Sequence, residues 1–309
     1  MPGSTPGDGS PSALRLLAPA KINLALEVTG RRTDGYHEID SVLTTIDLAD
    51  EIRLWPHTGL EVRLAGPRAA GIDAADDLSG RAARAFAEAA GRAPDVRIEV
   101  TKRVPVAAGL GGGSSDAAAV LRGLNALWSL DWPVERLMEV AAALGSDVPF
   151  FLHGGMARCT GRGEQVAPLR DLRPLRLLLL LPPLTPRAGK TARRYGALTA
   201  RDFSAGDDAD RLARRVERGA PPSADELVNV FEPVVERTEA ELVAHYAAYR
   251  VAGGGLQLHL CGAGAALYLL VQEQPRVAEL RRRLESAGAE VLEARTIPRR
   301  AALAITRDA

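Results

Sequence analysis

From Lys21 to Val28 the chain alternates, with Ile22, Leu24, Leu26 and Val28 on one face and Lys21, Asn23, Ala25 and Glu27 on the other. A period of two predicts a half-buried strand that projects a lysine and an asparagine side by side. Order is expected to begin near Leu14. Asp34-Gly35 signals a turn, and Ile39 to Leu54 reads as further strand with a break near Asp50-Glu51. Leu78 to Ala90 is alanine-rich and predicted helical. Val96, Ile98 and Val100 alternate with Arg97, Glu99 and Thr101 in another strand, which runs into Pro105 and a glycine-rich segment. Beyond it Val120, Leu121, Leu124, Leu127 and Trp128 follow helical spacing, with Ser114 or Ser115 available as N-cap. Another helix is expected from Pro133 to Gly145, a suitable C′ residue. Asp147 follows at once, just before Pro149.

In the second half, the run Leu177 to Leu181 is stopped by Pro182 and Pro183. It is far too short to span a membrane and reads as part of a buried strand, Leu175 to Leu181. Ala224 to Tyr249 is predicted mostly helix, Leu256 to Val271 as two short strands around Gly262-Ala263-Gly264, Pro275 to Gly288 as helix, and Glu290 to Thr306 as the remaining strands. The polar stretch Ala200 to Pro222 is expected to be an irregular surface insertion. No internal repeat is visible. Strands and helices mix without regular βαβ alternation, which favours an α+β fold. The divisions expected are a tail over 1–13, a first domain over 14–165 and a second over 166–309.

The chain's 309 residues suffice for one large or two modest domains. Hydrophobic residues at 46% and charged residues at 25% are ordinary for a soluble protein. Lysine plus arginine equals aspartate plus glutamate at 39 each, so net charge offers no attraction to nucleic acid or an anionic membrane, and neither partner is expected. Cys159 and Cys261 can make no disulfide framework and have no metal-ligand spacing. The first dozen residues lack the charged and apolar regions of a secretory signal and read as a disordered tail. A cytoplasmic protein is expected. The chain holds only three lysines, Lys21, Lys102 and Lys190. Where arginine is the default cation, a retained lysine is informative.

The segment Gly109-Leu110-Gly111-Gly112-Gly113-Ser114-Ser115 lies between a strand and a helix. Glycines let the backbone approach an anion, amides point inward, and a helix N-terminus adds positive partial charge. The serine hydroxyls can donate to phosphate or ligate Mg²⁺. The plain alternative is a flexible loop with a serine cap. Two better-known loops do not fit. A dinucleotide fingerprint from Gly109 needs glycine where Ser114 stands, and Gly189-Lys190-Thr191 lacks the leading glycine of a Walker loop because Leu184 is there.

Taken together, Pro105-Val106-Ala107-Ala108-Gly109-Leu110-Gly111-Gly112-Gly113-Ser114-Ser115 resembles the central motif of the GHMP kinase superfamily. Ala18-Pro19-Ala20-Lys21-Ile22-Asn23-Leu24, Asp34-Gly35-Tyr36-His37-Glu38 and Gly145-Ser146-Asp147-Val148-Pro149-Phe150-Phe151 are similar to one branch of it. That branch phosphorylates the 2-hydroxyl of 4-diphosphocytidyl-2-C-methyl-D-erythritol in the non-mevalonate isoprenoid pathway. The resemblance implies a two-lobed α+β fold with an N-terminal ATP-binding domain. It further implies nucleotide phosphates on the Pro105–Ser115 loop, Asp147 as base and Lys21 as its electrostatic partner. Asn23, Tyr36, His37 and Tyr195 would bind the cytidine diphosphate-linked polyol. Mg²⁺ would come only as the ATP counter-ion, held by the phosphates and by Ser115 or a nearby carboxylate, and the chain would act as a monomer or weak homodimer.

Each role has a plainer alternative. Asp147 could be a turn or cap residue, Lys21 a solvated strand-edge charge, and Tyr36 and Tyr195 packing residues. His57, His153, His245 and His259 have no mutual ligand spacing and read as structural. The chain departs from the family where Ser-Gly-Ser-Gly is usual and Cys261-Gly262-Ala263-Gly264 stands, where an Asn-Asp pair appears as Asn229-Val230, and loosely around Lys190 to Tyr195. Rival readings are a GHMP kinase for mevalonate, homoserine or a sugar, and a silent nucleotide-binding protein on the same fold.

Overall fold

The structure is a computed structural model and describes residues 13–73, 77–185, 189–271 and 277–307. The tail expected over 1–13 lies outside it except for Ala13. The chain starts with β1 (Leu14–Arg31), which turns at Arg32–Tyr36 into β2 (His37–Pro56), the two pairing antiparallel along nearly their whole length. Their register shifts between Pro19 and Lys21, between Asn23 and Ala25, and between Val28 and Gly30. Such bulges re-aim side chains, and here they bracket Lys21 and Asn23.

An eight-stranded sheet grows from this hairpin. Beyond β2 come β4 (Val96–Thr101) and then β3 (Leu60–Ala65), while β5 (Met156–Gly161) and β6 (Gln165–Pro168) extend another stretch of β2. Two short pieces from far along the chain join β1: β8 (Val228–Asn229), parallel at Ala25–Leu26, and β12 (Ile305–Arg307), antiparallel at Leu14–Leu16. One face is covered by α1 (Leu78–Ala89), α2 (Gly112–Leu127), α3 (Val134–Leu144) and α4 (Val148–His153). Leu16, Leu54, Ile98, Phe86, Leu121, Leu124 and Phe150 are fully buried between sheet and helices. A second, four-stranded antiparallel sheet has the order β11 (Glu290–Arg295), β7 (Arg176–Leu181), β10 (Leu267–Val271), β9 (His259–Leu260). In β7 Leu177, Leu179 and Leu181 face one apolar cluster, and Leu178 and Leu180 face another. A strand buried on both faces has no polar alternation, as the leucine run implied.

Three expectations are corrected. Asp50-Glu51 does not break β2; Asp50 is fully buried inside it and paired with Lys102. The Lys21–Val28 segment is buried on both faces, because later segments of the chain cover its polar side. Ala224 to Tyr249 is mostly helix, as expected, but in pieces: a single turn at Ala224–Glu226, then β8, then α7 (Phe231–Thr238) and α8 (Ala240–Ala252). The polar stretch over 200–222 contains α6 (Asp207–Glu217), whose Ala209, Leu212, Ala213 and Val216 are buried. Its start is held by Glu27, whose carboxylate accepts from the Ala209 amide at 2.7 Å and the Ser204 hydroxyl at 2.7 Å. Helix α9 (Val277–Ser286) matches the described part of the last predicted helix. Among the described residues no helix is long and apolar enough to cross a membrane.

Candidate active site

The glycine segment leaves β4 and winds into α2. Left-handed φ values at Ala107 (54°), Gly109 (87°) and Gly111 (73°) turn the chain sharply there. Gly111, not a serine, is the N-cap, and no side chain caps this helix. The loop is pinned through its carbonyls. Lys21 N donates to Leu110 O at 2.9 Å, Ala266 N to Ala108 O at 3.1 Å, and Lys190 Nζ to Ala107 O. With these carbonyls turned into the protein, and the first amides of α2 lacking intrahelical acceptors, the loop is shaped to hold an anion. Ser114 is half-buried on the first turn. Ser115 is 1% exposed, and its Oγ has no hydrogen-bond partner among the described residues.

Lys21 and Asp147 come together beside this loop. Lys21 is 4% exposed, and its Nζ donates to Asn23 Oδ1 at 2.7 Å and stands 3.8 Å from Asp147 Oδ2. Asp147 occupies the N-cap position of α4, yet its side chain makes no capping hydrogen bond. The cap alternative therefore fails for its carboxylate, and solvated exposure fails for Lys21. Asn23 is occupied at both ends: Oδ1 accepts from Lys21, and Nδ2 donates to Ser41 Oγ at 2.8 Å, which donates to Ala25 O at 2.6 Å.

A second glycine turn, Cys261–Gly264 between β9 and β10, closes over the lysine. A methyl group on Gly262 would stand 2.7 Å from Lys21 Nζ, and one on Gly109 would stand 1.8 Å from Cys261 O. The two loops thus touch backbone to backbone, as only glycine permits. Asn229 holds the second loop by donating from Nδ2 to Leu260 O and Gly262 O, both at 2.8 Å. Burial pushes the Cys261 thiol up to about 12, so it stays protonated at neutral pH and is no nucleophile.

The aromatic residues divide. On α5 (Lys190–Gly196), the Tyr195 ring stacks on His37 at 5.1 Å and meets Phe231 edge-on at 4.9 Å. Burial raises its phenol, and the Asp147 charge adds to the rise. Burial, then the Arg31 charge, lowers the His37 pKa. Tyr36 is 52% exposed and faces the Arg162 guanidinium at 4.7 Å. Sequence reasoning missed three features. Lys102 is buried between Asp50 and Asp116, and Asp50 also accepts from the Arg103 and Val104 amides, which fixes the entry to the glycine loop. Lys190 bridges the loops by donating to Ala107 O and Gly264 O. Arg194, 2% exposed, donates to Ala263 O and pairs with Glu239. The scarcity of lysine was the available signal for the first two. Among the described residues, no group of three or more His, Cys, Asp or Glu side chains could hold a metal ion.

Residues 77–155 match the GHMP kinases N terminal domain. A 4-diphosphocytidyl-2-C-methyl-D-erythritol kinase from Dehalococcoides mccartyi is 41% identical over 84% of this chain and 90% of its own length. One from a Geobacillus species is 38% identical over 86% and 92%. A crystal structure of 4-(cytidine 5'-diphospho)-2C-methyl-D-erythritol kinase superposes with a TM-score of 0.73 at 34% identity, covering 91% of this chain and 98% of that one. A crystal structure of L. major mevalonate kinase in complex with R-mevalonate shares the fold at a TM-score of 0.70 and 14% identity over 92% and 96% of the two chains. With the lysine–aspartate pair standing over a glycine loop in an α+β frame, these likenesses agree: the chain belongs to the 4-diphosphocytidyl-2-C-methyl-D-erythritol kinase family of the GHMP kinases.

Proposed function

We propose that this chain transfers the γ-phosphoryl group of ATP to the 2-hydroxyl of 4-diphosphocytidyl-2-C-methyl-D-erythritol, with Asp147 and Lys21 at the point of transfer. The observation that carries this reading is the 3.8 Å approach of Lys21 Nζ to Asp147 Oδ2 beside the Gly109–Gly113 loop. Phosphoryl transfer needs little covalent help; it needs in-line positioning, charge neutralisation and an oriented nucleophile. Asp147 accepts the hydroxyl proton as the new P–O bond forms, and the bond to ADP breaks. The Lys21 ammonium favours the ionised carboxylate and faces the transferring group. Asn23 enters through Lys21, whose ammonium it orients, and through that contact supports the substrate end of the site.

The phosphates lie along Pro105, Val106, Ala107, Ala108, Gly109, Leu110, Gly111, Gly112, Gly113, Ser114 and Ser115 and take their free amides; proline has none, and Ser115 N already donates to Gly111 O at 2.9 Å. Magnesium arrives with ATP as part of the substrate. The orphaned Ser115 Oγ suits it chemically but is 1% exposed, so it serves only if the loop shifts; Ser114 needs no such shift. His37 and Tyr195 supply the wall for the cytosine, and Tyr36 its outer edge. A neutral imidazole keeps one donor and one acceptor for the polar edge of a base. The balanced charge of the chain supports small-molecule partners rather than nucleic acid.

The test is ADP release from Mg-ATP with a panel of alcohols. Turnover confined to the cytidine diphosphate alcohol is expected, and Asp147→Asn should lower kcat by at least about 10²-fold while leaving ATP binding intact. Near-normal turnover in that variant would remove Asp147 as the base.

A further inference from the structure

Against 36 arginines the chain keeps three lysines: Lys21 bonds the glycine loop through its backbone amide, Lys190 through its ammonium, and Lys102 holds the Asp50 that fixes the loop's entry. Two of these ammonium groups are matched by carboxylates: Lys21 by Asp147, and Lys102 by Asp50 and Asp116. Lys190 is different. Its Nζ donates to the carbonyls of Ala107 and Gly264, which orient a charge without neutralising it. Nearby Glu239 is held by two nitrogens of Arg194, at 2.5 and 2.7 Å. Burial, and then the Arg194 charge, bring the Lys190 ammonium down to about 8, so it is still mostly protonated at neutral pH. An ammonium has three protons to donate, and the two carbonyls use two.

Lys190 also lines a cleft of about 1030 Å³ whose other walls include Pro105, Val106, Ala107, Ala108 and Ala266. Among the described residues no carboxylate bonds this partly desolvated cation; Glu239, whose charge it feels and which shares the cleft, is taken by Arg194, so an ammonium at the edge of a cleft walled by a phosphate-shaped loop suits an anion.

We propose that Lys190 is a nucleotide-binding residue: it keeps its two carbonyl contacts and gives its third proton to the phosphate chain of bound ATP. This rests on the reading of the chain as an ATP-dependent kinase. It accounts for the lysine at this position by geometry, since a compact ammonium fits between two backbone loops where a planar guanidinium does not.

The test is calorimetric binding of ATP and of adenosine to the wild-type chain and to Lys190→Met and Lys190→Gln, with kinetics alongside. Both variants should lose about 10- to 100-fold in ATP affinity, the range of a hydrogen bond to a charged group, with adenosine affinity unchanged. KM for ATP should rise, while KM for the cytidine alcohol and kcat at saturating ATP stay within a few-fold. Glutamine can still donate to both carbonyls, so wild-type ATP affinity in Lys190→Gln would make Lys190 a mere tie between loops and overturn the proposal. So would unchanged ATP affinity in Lys190→Met, or an equal loss for adenosine. A wild-type chain that binds ATP but phosphorylates no cytidine alcohol would instead count against the proposed function, leaving the binding comparison to decide Lys190.

Discussion

Around Lys21 the packing is close on two sides: methyl groups added to Gly262 and Gly111 would stand 2.7 Å from its Nζ and 3.1 Å from its Cγ. A guanidinium fork is wider than an ammonium and cannot take the same place without moving a loop. Lys21→Arg is therefore expected to lower kcat by about 10²-fold, the effect of an ångström-scale displacement in an oriented site. ADP release measures it, and near-normal turnover would show that the charge alone suffices. The pairing of Lys21 with Asn23 was legible from a period of two. Their burial was not, because the cover comes from Gly262, far along the chain. Asp50 misled for a related reason. An Asp-Glu pair inside an apolar run resembles a turn, and nothing local tells that Lys102 and Asp116 will meet one of the two in the core.

Elements hold the loop in place, and the Asp50–Lys102–Asp116 cluster joins three of them: β2, the end of β4 and α2. Burial holds the Asp116 carboxyl well above the usual carboxylate range, with the Lys102 charge pulling the other way. A raised folded-state pKa stabilises fully below the ordinary value of 3.8 and loses that contribution as pH rises through the folded-state value. Asp116→Asn, which mimics the protonated acid, should thus gain stability relative to wild type as pH climbs above the ordinary 3.8. Urea midpoints taken as pH rises decide it, and a difference independent of pH would contradict the account. Lys102→Met should cost about 3–5 kcal/mol, because it removes the buried partner of the Asp50 carboxyl. The elements themselves were mostly legible: the helices over 78–90 and 133–145 and the strands over 96–101 and 175–181 lie close to where their periodicity put them. Helix α6 was read as irregular, although Ala209, Leu212, Ala213 and Val216 fall at i, i+3, i+4 and i+7. Its charged outer face hid that stripe.

Across the whole molecule, the contact between the two glycine loops is what joins the first sheet to the second at the site. Gly109 and Gly35 both have φ of 87°, but a methyl on Gly35 meets nothing within 4 Å, whereas one on Gly109 strikes Cys261 O. Gly35→Ala should cost only the left-handed conformation, about 1–2 kcal/mol. Gly109→Ala should add about 1–3 kcal/mol of overpacking, and thermal unfolding of the pair separates the two terms. Equal losses would mean that the loops part freely. Strand β1, finally, runs through all three apolar clusters in turn, Leu14 to Ala18 in the first, Ala20 to Ala25 in the second, Leu26 and Val28 in the third. It is also paired at its first residues with β12, almost at the other end of the chain. Such pairings close the longest possible loops and form slowly. During synthesis, then, the strand carrying Lys21 can pair early with β2 but gains its cover late, and the surroundings of the lysine close only once translation has passed Gly262.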